Sequence, residues 1–156
     1  MESLRNLDLS LSGFMGLIPH QLGKLSNLQH LNLGYNYALQ IDNLNWISRL
    51  SSLDNNTFTC PIPSPFANLS SLRTLNLAHI RLNGTIPKSF EFLKNLQVLN
   101  LGANSLTGDM PGTLSNLVML DLSSNLLEGS IKESNFVKLL KLKELRLSWT
   151  NLFLSE

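Results

Sequence analysis

The sequence predicts an α/β fold: a right-handed solenoid, or horseshoe. Its concave side carries a parallel β-sheet and its convex side short helical turns or loops. Two observations predict it. The phrase L-x-x-L-x-L-x-x-N-x-L returns down almost all of the 156 residues. A continuation, G-x-[IM]-P, follows several of its copies, as in Leu96–Pro111 (LQVLNLGANSLTGDMP). Leucines at spacings of two and three alternate as inward-facing strand residues do. No single copy can bury them, so neighbours must stack and share a core.

This is the leucine-rich-repeat pattern, and it divides the chain as one domain into about seven copies. Copy one opens at Leu4, with Leu7 and Leu9, and Ser12 stands where Asn is expected. Phe14, Gly16, Ile18 and Pro19 complete its phrase, with Leu22 and Leu25 behind. Copy two starts at Leu28, with Leu31, Leu33 and Asn36. Its second half lacks G-x-I-P; Leu44, Ile47 and Leu50 are three apart and predict a helical turn covered by Trp46. Copy three, from Leu53, is truncated: Leu72 opens the next copy well short of a full period. A half-length strand forms fewer ladder bonds, so residues 48–60 are expected to be the weak point of the sheet.

Copy four runs from Leu72, with Phe90 and Leu93 on the back and Ile80 in the asparagine slot. Copy five, from Leu96, is short: Leu117 arrives early, so its convex segment is cut. Copy six has Leu117, Leu120, Leu122, Asn125, Leu127 and Gly129, with Lys132 replacing proline. Copy seven starts at Leu142, and Thr150 takes its asparagine slot. Asn36, Asn56, Asn104 and Asn125 are expected to bond backbone groups in the turn after each strand. Ile80 cannot, at a cost of about 1 kcal/mol. Gly16, Gly84, Gly108 and Gly129 occupy a slot suited to positive φ, and Cys60 stands there in copy three. The expectation for Cys60 is a small, partly buried residue that Gly could replace.

Composition narrows the function. Hydrophobic residues make up 43% and charged residues only 15%, and the net charge is +1. Electrostatics therefore points to no nucleic-acid or membrane partner. The 156 residues contain no apolar run of membrane-spanning length, and Met1-Glu2-Ser3-Leu4 leads straight into copy one without a signal peptide. No nucleophile, metal or phosphate-loop motif appears, and one Cys with dispersed His20, His30 and His79 makes no metal spacing. No catalytic residue, cofactor or metal is assigned, and an enzyme is not expected.

The site expected instead is the concave face, where the side chains between the leucines point outward. Its candidates are Arg5, Asp8, His30, Asn32, Tyr35, Arg73, Asn76, His79, Gln97, Asn100, Met119, Asp121, Arg146 and Trp149. Seven strands would carry them over roughly 30 Å. Tyr, Trp and Arg are the types enriched at binding hot spots. The cluster Lys138, Lys141 and Lys143 reads as a solvated edge.

The full phrase N-x-L-x-G-x-I-P-x-x-L/F-x-x-L, over roughly residues 4–154, resembles the plant extracellular leucine-rich-repeat family. Receptor kinases, receptor-like proteins and polygalacturonase-inhibiting proteins share it. Leu28–Leu50 (LQHLNLGYNYALQIDNLNWISRL) and Glu128–Glu144 (EGSIKESNFVKLLKLKE) look like disease-resistance receptor-like proteins of the Cf type, and most like the apple scab-resistance members. The resemblance implies a recognition module in pathogen perception and defence. It implies a protein or peptide ligand, pathogen-derived, a co-receptor, and the extracellular face of the plasma membrane. Cysteine-paired caps and a membrane anchor are implied for the parent and are not among these residues, so the chain reads as a fragment or an internally deleted version. Membrane attachment would come only through those parts. Three N-x-[ST] sequons, at Asn55, Asn68 and Asn83, suit a secreted glycoprotein. An inhibitor of a secreted pathogen polygalacturonase is the alternative. A glycan-modifying enzyme is a distant one, needing a carboxylate pair that the pattern does not supply. Leucines left open at both terminal copies predict that the isolated chain is poorly stable or self-associates.

Overall fold

A computed structural model of the chain describes residues 3–18, 20–41, 62, 68–111, 114–137 and 139–155. Six short strands form one parallel sheet: β1 (Asn6–Asp8), β3 (His30–Asn32), β5 (Thr74–Asn76), β7 (Val98–Asn100), β9 (Met119–Asp121) and β11 (Glu144–Arg146), in that order. Each takes the middle of the leucine phrase. The central leucines Leu7, Leu31, Leu75, Leu99, Leu120 and Leu145 pair in one row across the whole sheet. The four inner members of the row are fully buried, and Leu7 and Leu145 at the two edges are half-buried. Burial falls off at the ends because each inner coil is covered on two sides and an end coil on one.

The spacing of the rows departs from the sequence reading at one place. Pairing advances by one period between β1 and β3, where Asn6 meets His30, and again between β5 and β7, where Thr74 meets Val98. Between β3 and β5 the step along the chain is much longer: His30 pairs with Thr74 and Asn32 with Asn76. Among the described residues the sheet therefore has six strands, not seven, and at about 4.8 Å per strand it spans about 24 Å rather than about 30 Å. The truncated copy at Leu53, the helical turn expected at Leu44–Leu50, Trp46, Asn56 and Cys60 all lie outside the described residues. Short copy five leaves the ladder in phase. Val98 pairs with Met119 in the common register, so the shortening is taken up by the convex path.

That path holds more strand than helix. Three two-stranded parallel sheets form there: β2 (Met15–Ile18) with β4 (Ala38–Ile41), β6 (Asn83–Thr85) with β8 (Ser105–Thr107), and β10 (Glu128–Ile131) with β12 (Asn151–Leu154). Among the described residues, helical structure is limited to 3₁₀ turns at His20–Lys24 and Lys88–Phe92, a 3₁₀ position at Asn68 and the short helix α1 (Glu133–Val137). The turn at Lys88–Phe92 buries Phe90, and Leu93 behind it is buried as well. The glycine slot behaves as its residue type requires: Gly16, Gly84, Gly108 and Gly129 have φ of 89°, 72°, 80° and 112°.

The asparagine slot does something the phrase alone did not reveal. Asn36, Asn104 and Asn125 each reach back to the preceding coil. Asn104 accepts from the Ile80 and Leu82 N–H groups at 3.3 and 2.9 Å and donates to the Leu77 and Leu101 carbonyls at 2.9 and 2.8 Å. Asn36 does the same for coil one: it accepts from the Ser12 and Phe14 N–H groups and donates to the Leu9 carbonyl. Asn125 serves the Leu106 N–H and the Leu101 carbonyl. Coil-to-coil cohesion thus has a polar strut as well as a leucine core. Ile80 fills its slot fully buried as a hydrophobe, while its own N–H is held by Asn104. Thr150 keeps one part of the role, donating to the Leu147 carbonyl at 2.8 Å.

Candidate ligand-binding face

The concave sheet sorts the expected site residues into rows with different chemistry. The row between the second and third leucines runs Asp8, Asn32, Asn76, Asn100, Asp121, Arg146. Its first five members have a local job. Each side-chain oxygen accepts the backbone N–H two residues on, from Ser10, Gly34, Ala78, Gly102 and Ser123, at 2.9–3.1 Å. This Asx bond ends the strand and turns the chain out of the sheet. Asp8, Asn32, Asn76, Asn100 and Asp121 therefore have a structural role, which takes up one side-chain oxygen of each. Asn32 already spends one amide N–H on Asp8 (3.1 Å). Asp121 is buried and also takes the Ser123 hydroxyl.

The Asp8 carboxyl is held below the ordinary aspartate range, chiefly by the Ser10 hydroxyl, then by the Ser10 N–H and the Asn32 amide. Arg146 closes the row from the far edge. Its guanidinium donates to Glu144 at 2.7 Å and lies 3.6 Å from Asp121. The Glu144 contact, more than Asp121, raises its already high pKa.

The next row is set by the backbone. After each of the five Asx bonds one residue adopts positive φ, namely Leu11, Tyr35, His79, Ala103 and Ser124, and Trp149 takes the same conformation after Arg146; all six lie between 51° and 59°. Non-glycine residues visit this region at a cost of roughly 1–2 kcal/mol, and here the Asx bond and the next coil hold them in it. Coil-to-coil bonds from Leu11, Tyr35, His79, Ala103 and Ser124 N–H groups show that hold. The consequence is a column of side chains projected from one rim of the sheet. Because β3 adjoins β5, Tyr35 meets His79 and their rings stack at 4.4 Å with planes 19° apart. Tyr37 adds an edge contact to His79 at 6.2 Å. Tyr35 and Tyr37 remain 40% and 54% exposed.

Trp149 is 85% exposed on the same column but three coils from His79, about 14 Å along the stack. Arg5, Arg73 and Gln97 form an exposed row at the start of the strands, linked through Gln29: the Gln29 N–H donates to the Arg5 carbonyl, and the Arg73 and Gln97 N–H groups bond the coil before each. His30 is exposed and Met119 half-buried, one position further along. The structure thus joins Tyr35 with His79, and Asp121 with Arg146, and leaves Trp149 apart from the tyrosine cluster. Tyr37 was missed because it lies beyond the asparagine slot, outside the strand phrase. Its signal was the tyrosine pair flanking Asn36.

The leucine-rich-repeat family model matches residues 3–25, 71–93 and 95–117. Those three stretches are leucine-rich repeats. The chain is similar to a plant receptor-like protein. Receptor-like protein 35 of Arabidopsis thaliana is 38% identical over 90 residues, which is 51% of this chain and 10% of that protein. This leucine-rich-repeat chain therefore spans about a tenth of the curated relative it matches. The ectodomain of the Arabidopsis thaliana receptor kinase SOBIR1 superposes with a TM-score of 0.73 at 25% identity, covering 96% of this chain and 73% of that one. The plant peptide hormone receptor RGFR1, solved in complex with RGF2, gives 0.70 at 33% identity, over 97% of this chain and 25% of that one. No helix among the described residues of the leucine-rich-repeat chain is long and apolar enough to cross a membrane.

Proposed function

We propose that the chain is the recognition module of a plant receptor-like protein and binds a protein or peptide ligand on its concave face. The ligand is pathogen-derived, a co-receptor takes part, and the module faces the cell exterior. The observation that carries this reading is the stack of exposed Tyr35 on half-buried His79. Elsewhere on the face the Asx row is tied into the backbone. At this rim, rings with broad exposed surfaces are fixed before any ligand arrives, so little side-chain entropy is lost on binding. Relatives that bind peptides with the same repeat, such as RGFR1, support the ligand class. Arg73, Gln97 and His30 line the opposite rim and supply charge and hydrogen bonds.

The reading extends to modification. Asn68 is exposed beside Ser70 in its sequon, and glycan attachment there is part of the proposal. Asn83 lies half-buried in β6, paired with Ser105, and is the poorer acceptor. Asn55 is outside the described residues. The test is capture of secreted pathogen proteins by the immobilised chain, with Tyr35→Ala as the comparison. Capture that Tyr35→Ala and His79→Ala both leave unchanged would remove the concave rim from the reading.

A further inference from the structure

The row at the start of the strands carries a pattern of its own. It holds one residue per coil, in the order Arg5, Gln29, Arg73, Gln97, Val118, Lys143. A continuous series of backbone bonds fixes that order. The Gln29, Arg73, Gln97, Val118 and Lys143 N–H groups each donate to the carbonyl of the residue before them in the row, at 2.7–2.8 Å. Over the first four coils guanidinium and carboxamide alternate. Two coils at about 4.8 Å each set Arg5 and Arg73 about 10 Å apart.

Among the described residues the ion pairs are those of Arg146, with Glu144 and Asp121, so neither Arg5 nor Arg73 is paired with an acid there. Asp8, in the coil of Arg5, is turned to Ser10 and Asn32. Arg5, Arg73 and Gln97 are exposed. Arg73 and Gln97 belong to inner coils with a neighbour on each side. Stacking therefore does not cover this row, and further coils beyond either end would lengthen it and leave it open.

One extended conformation matches the spacing. Polyproline II advances about 3.1 Å per residue with three residues per turn, so side chains three apart share a face and stand about 9.3 Å apart. Carboxylates at i and i+3 of such a segment meet Arg5 and Arg73 together, as charge-assisted bonds. A β-strand sets its same-face side chains about 6.6 Å apart and falls out of step with the arginines. Polyproline II also leaves its own N–H and carbonyl groups without internal bonds. The Gln29 and Gln97 amides, alternating with the arginines, have the donors and acceptors for them. On the next coil the row turns apolar. Val118, and Met119 beside it, are half-buried and stand where residue i+6 would fall.

We propose that the ligand of the concave face carries an acidic polyproline-II segment. Asp or Glu at i and i+3 pairs with Arg5 and Arg73, and an apolar side chain at i+6 rests on Val118 and Met119. This rests on the reading of the concave face as the ligand site and names the chemistry of one part of the ligand. A segment already in polyproline II loses little chain entropy on docking.

The probe is a proline-rich peptide with Glu at every third position. The control has the same composition with Glu at every second position, which polyproline II spreads around its axis. Fluorescence anisotropy of each labelled peptide against the chain reads the difference. Two exposed ion pairs are together worth about tenfold in affinity, and the probe should exceed the control by that factor. Arg5→Gln and Arg73→Gln should each weaken the probe by about threefold and together by about tenfold, since they are far enough apart to act independently. Lys88→Gln, on the convex path, removes the same charge and should change nothing. All three side chains are exposed, and a thermal melt checks that each variant folds. Equal binding of probe and control overturns the proposal. So does a loss for Lys88→Gln as large as for Arg73→Gln, and so does tighter binding of polygalacturonate than of the probe, which assigns the row to an acidic glycan. Equal binding of the two peptides together with capture of secreted proteins that Tyr35→Ala abolishes removes this segment and leaves the concave-face reading standing.

Discussion

Replacing Asn125 with Ala should destabilise the fold by about 3 kcal/mol. Its amide makes four contacts: it accepts from the Leu106 N–H at 2.9 Å and donates to the Leu101, Leu122 and Ser123 carbonyls at 3.0, 3.0 and 3.2 Å. Two of these four backbone groups keep another partner. The Leu101 carbonyl still takes the Asn104 amide, and the Ser123 carbonyl still takes the Ala103 N–H. The Leu106 N–H and the Leu122 carbonyl lose the Asn125 bond, and both residues are fully buried. A buried orphan costs roughly 1–3 kcal/mol, and two at the lower middle of that range give the total. Asn125→Asp sharpens the argument. It keeps the acceptor for Leu106 but turns the donor toward three carbonyl oxygens into an acceptor, so it should cost at least as much as Ala. Urea titration measures both through the midpoint, with an unchanged slope showing that the denatured state is unaltered. A loss below about 1 kcal/mol for Ala, or a tolerated Asp, would refute the strut.

Three further outcomes follow from other positions. Gly108→Ala should cost about 1–2 kcal/mol, because φ is 80° there and a Cβ would sit 3.0 Å from the Thr85 methyl; a change in urea midpoint too small to measure would count against it. Asp8 has a lowered folded pKa, so its contribution is fully present above the unfolded aspartate value and lost as pH falls through the folded one. Asp8→Asn keeps the acceptor that Asn32, Asn76 and Asn100 use and should flatten that acid-side loss, read as melting temperature against pH. Tyr35→Ala should loosen His79, seen as a shifted and broadened His79 ring resonance, with little change in global stability because the pair is at the surface.

What could be read in advance was whatever the leucine period controls. The strand positions, the inward row and the glycine slot followed from spacing, since each is set by one residue and its nearest coil neighbours. The Asx row was visible as polar residues between the leucines. Its turn-forming bond was not, because Asp8 or Asn76 looks the same in sequence whether or not it holds the N–H two residues on. The convex strands were missed because Met15–Ile18 and Ala38–Ile41 are too short to show a period of their own and depend on stacking for their bonds. The Tyr35–His79 stack was out of reach for another reason. Nothing local says that the coils of His30 and Thr74 share a boundary when every other pair of neighbouring rungs is a single copy apart.

That direct junction of β3 with β5 bears on how such proteins change over generations. The ladder joins any coil to any other in the same phase, so the reading frame of the surface survives a change in the number of residues between rungs. A gene that gains or loses part of a copy by unequal recombination still encodes a continuous sheet. What changes is adjacency: His79 becomes the neighbour of Tyr35. Novel combinations of surface residues can thus arise in one genetic event, with no point substitution on the face and the buried leucine row left as it was.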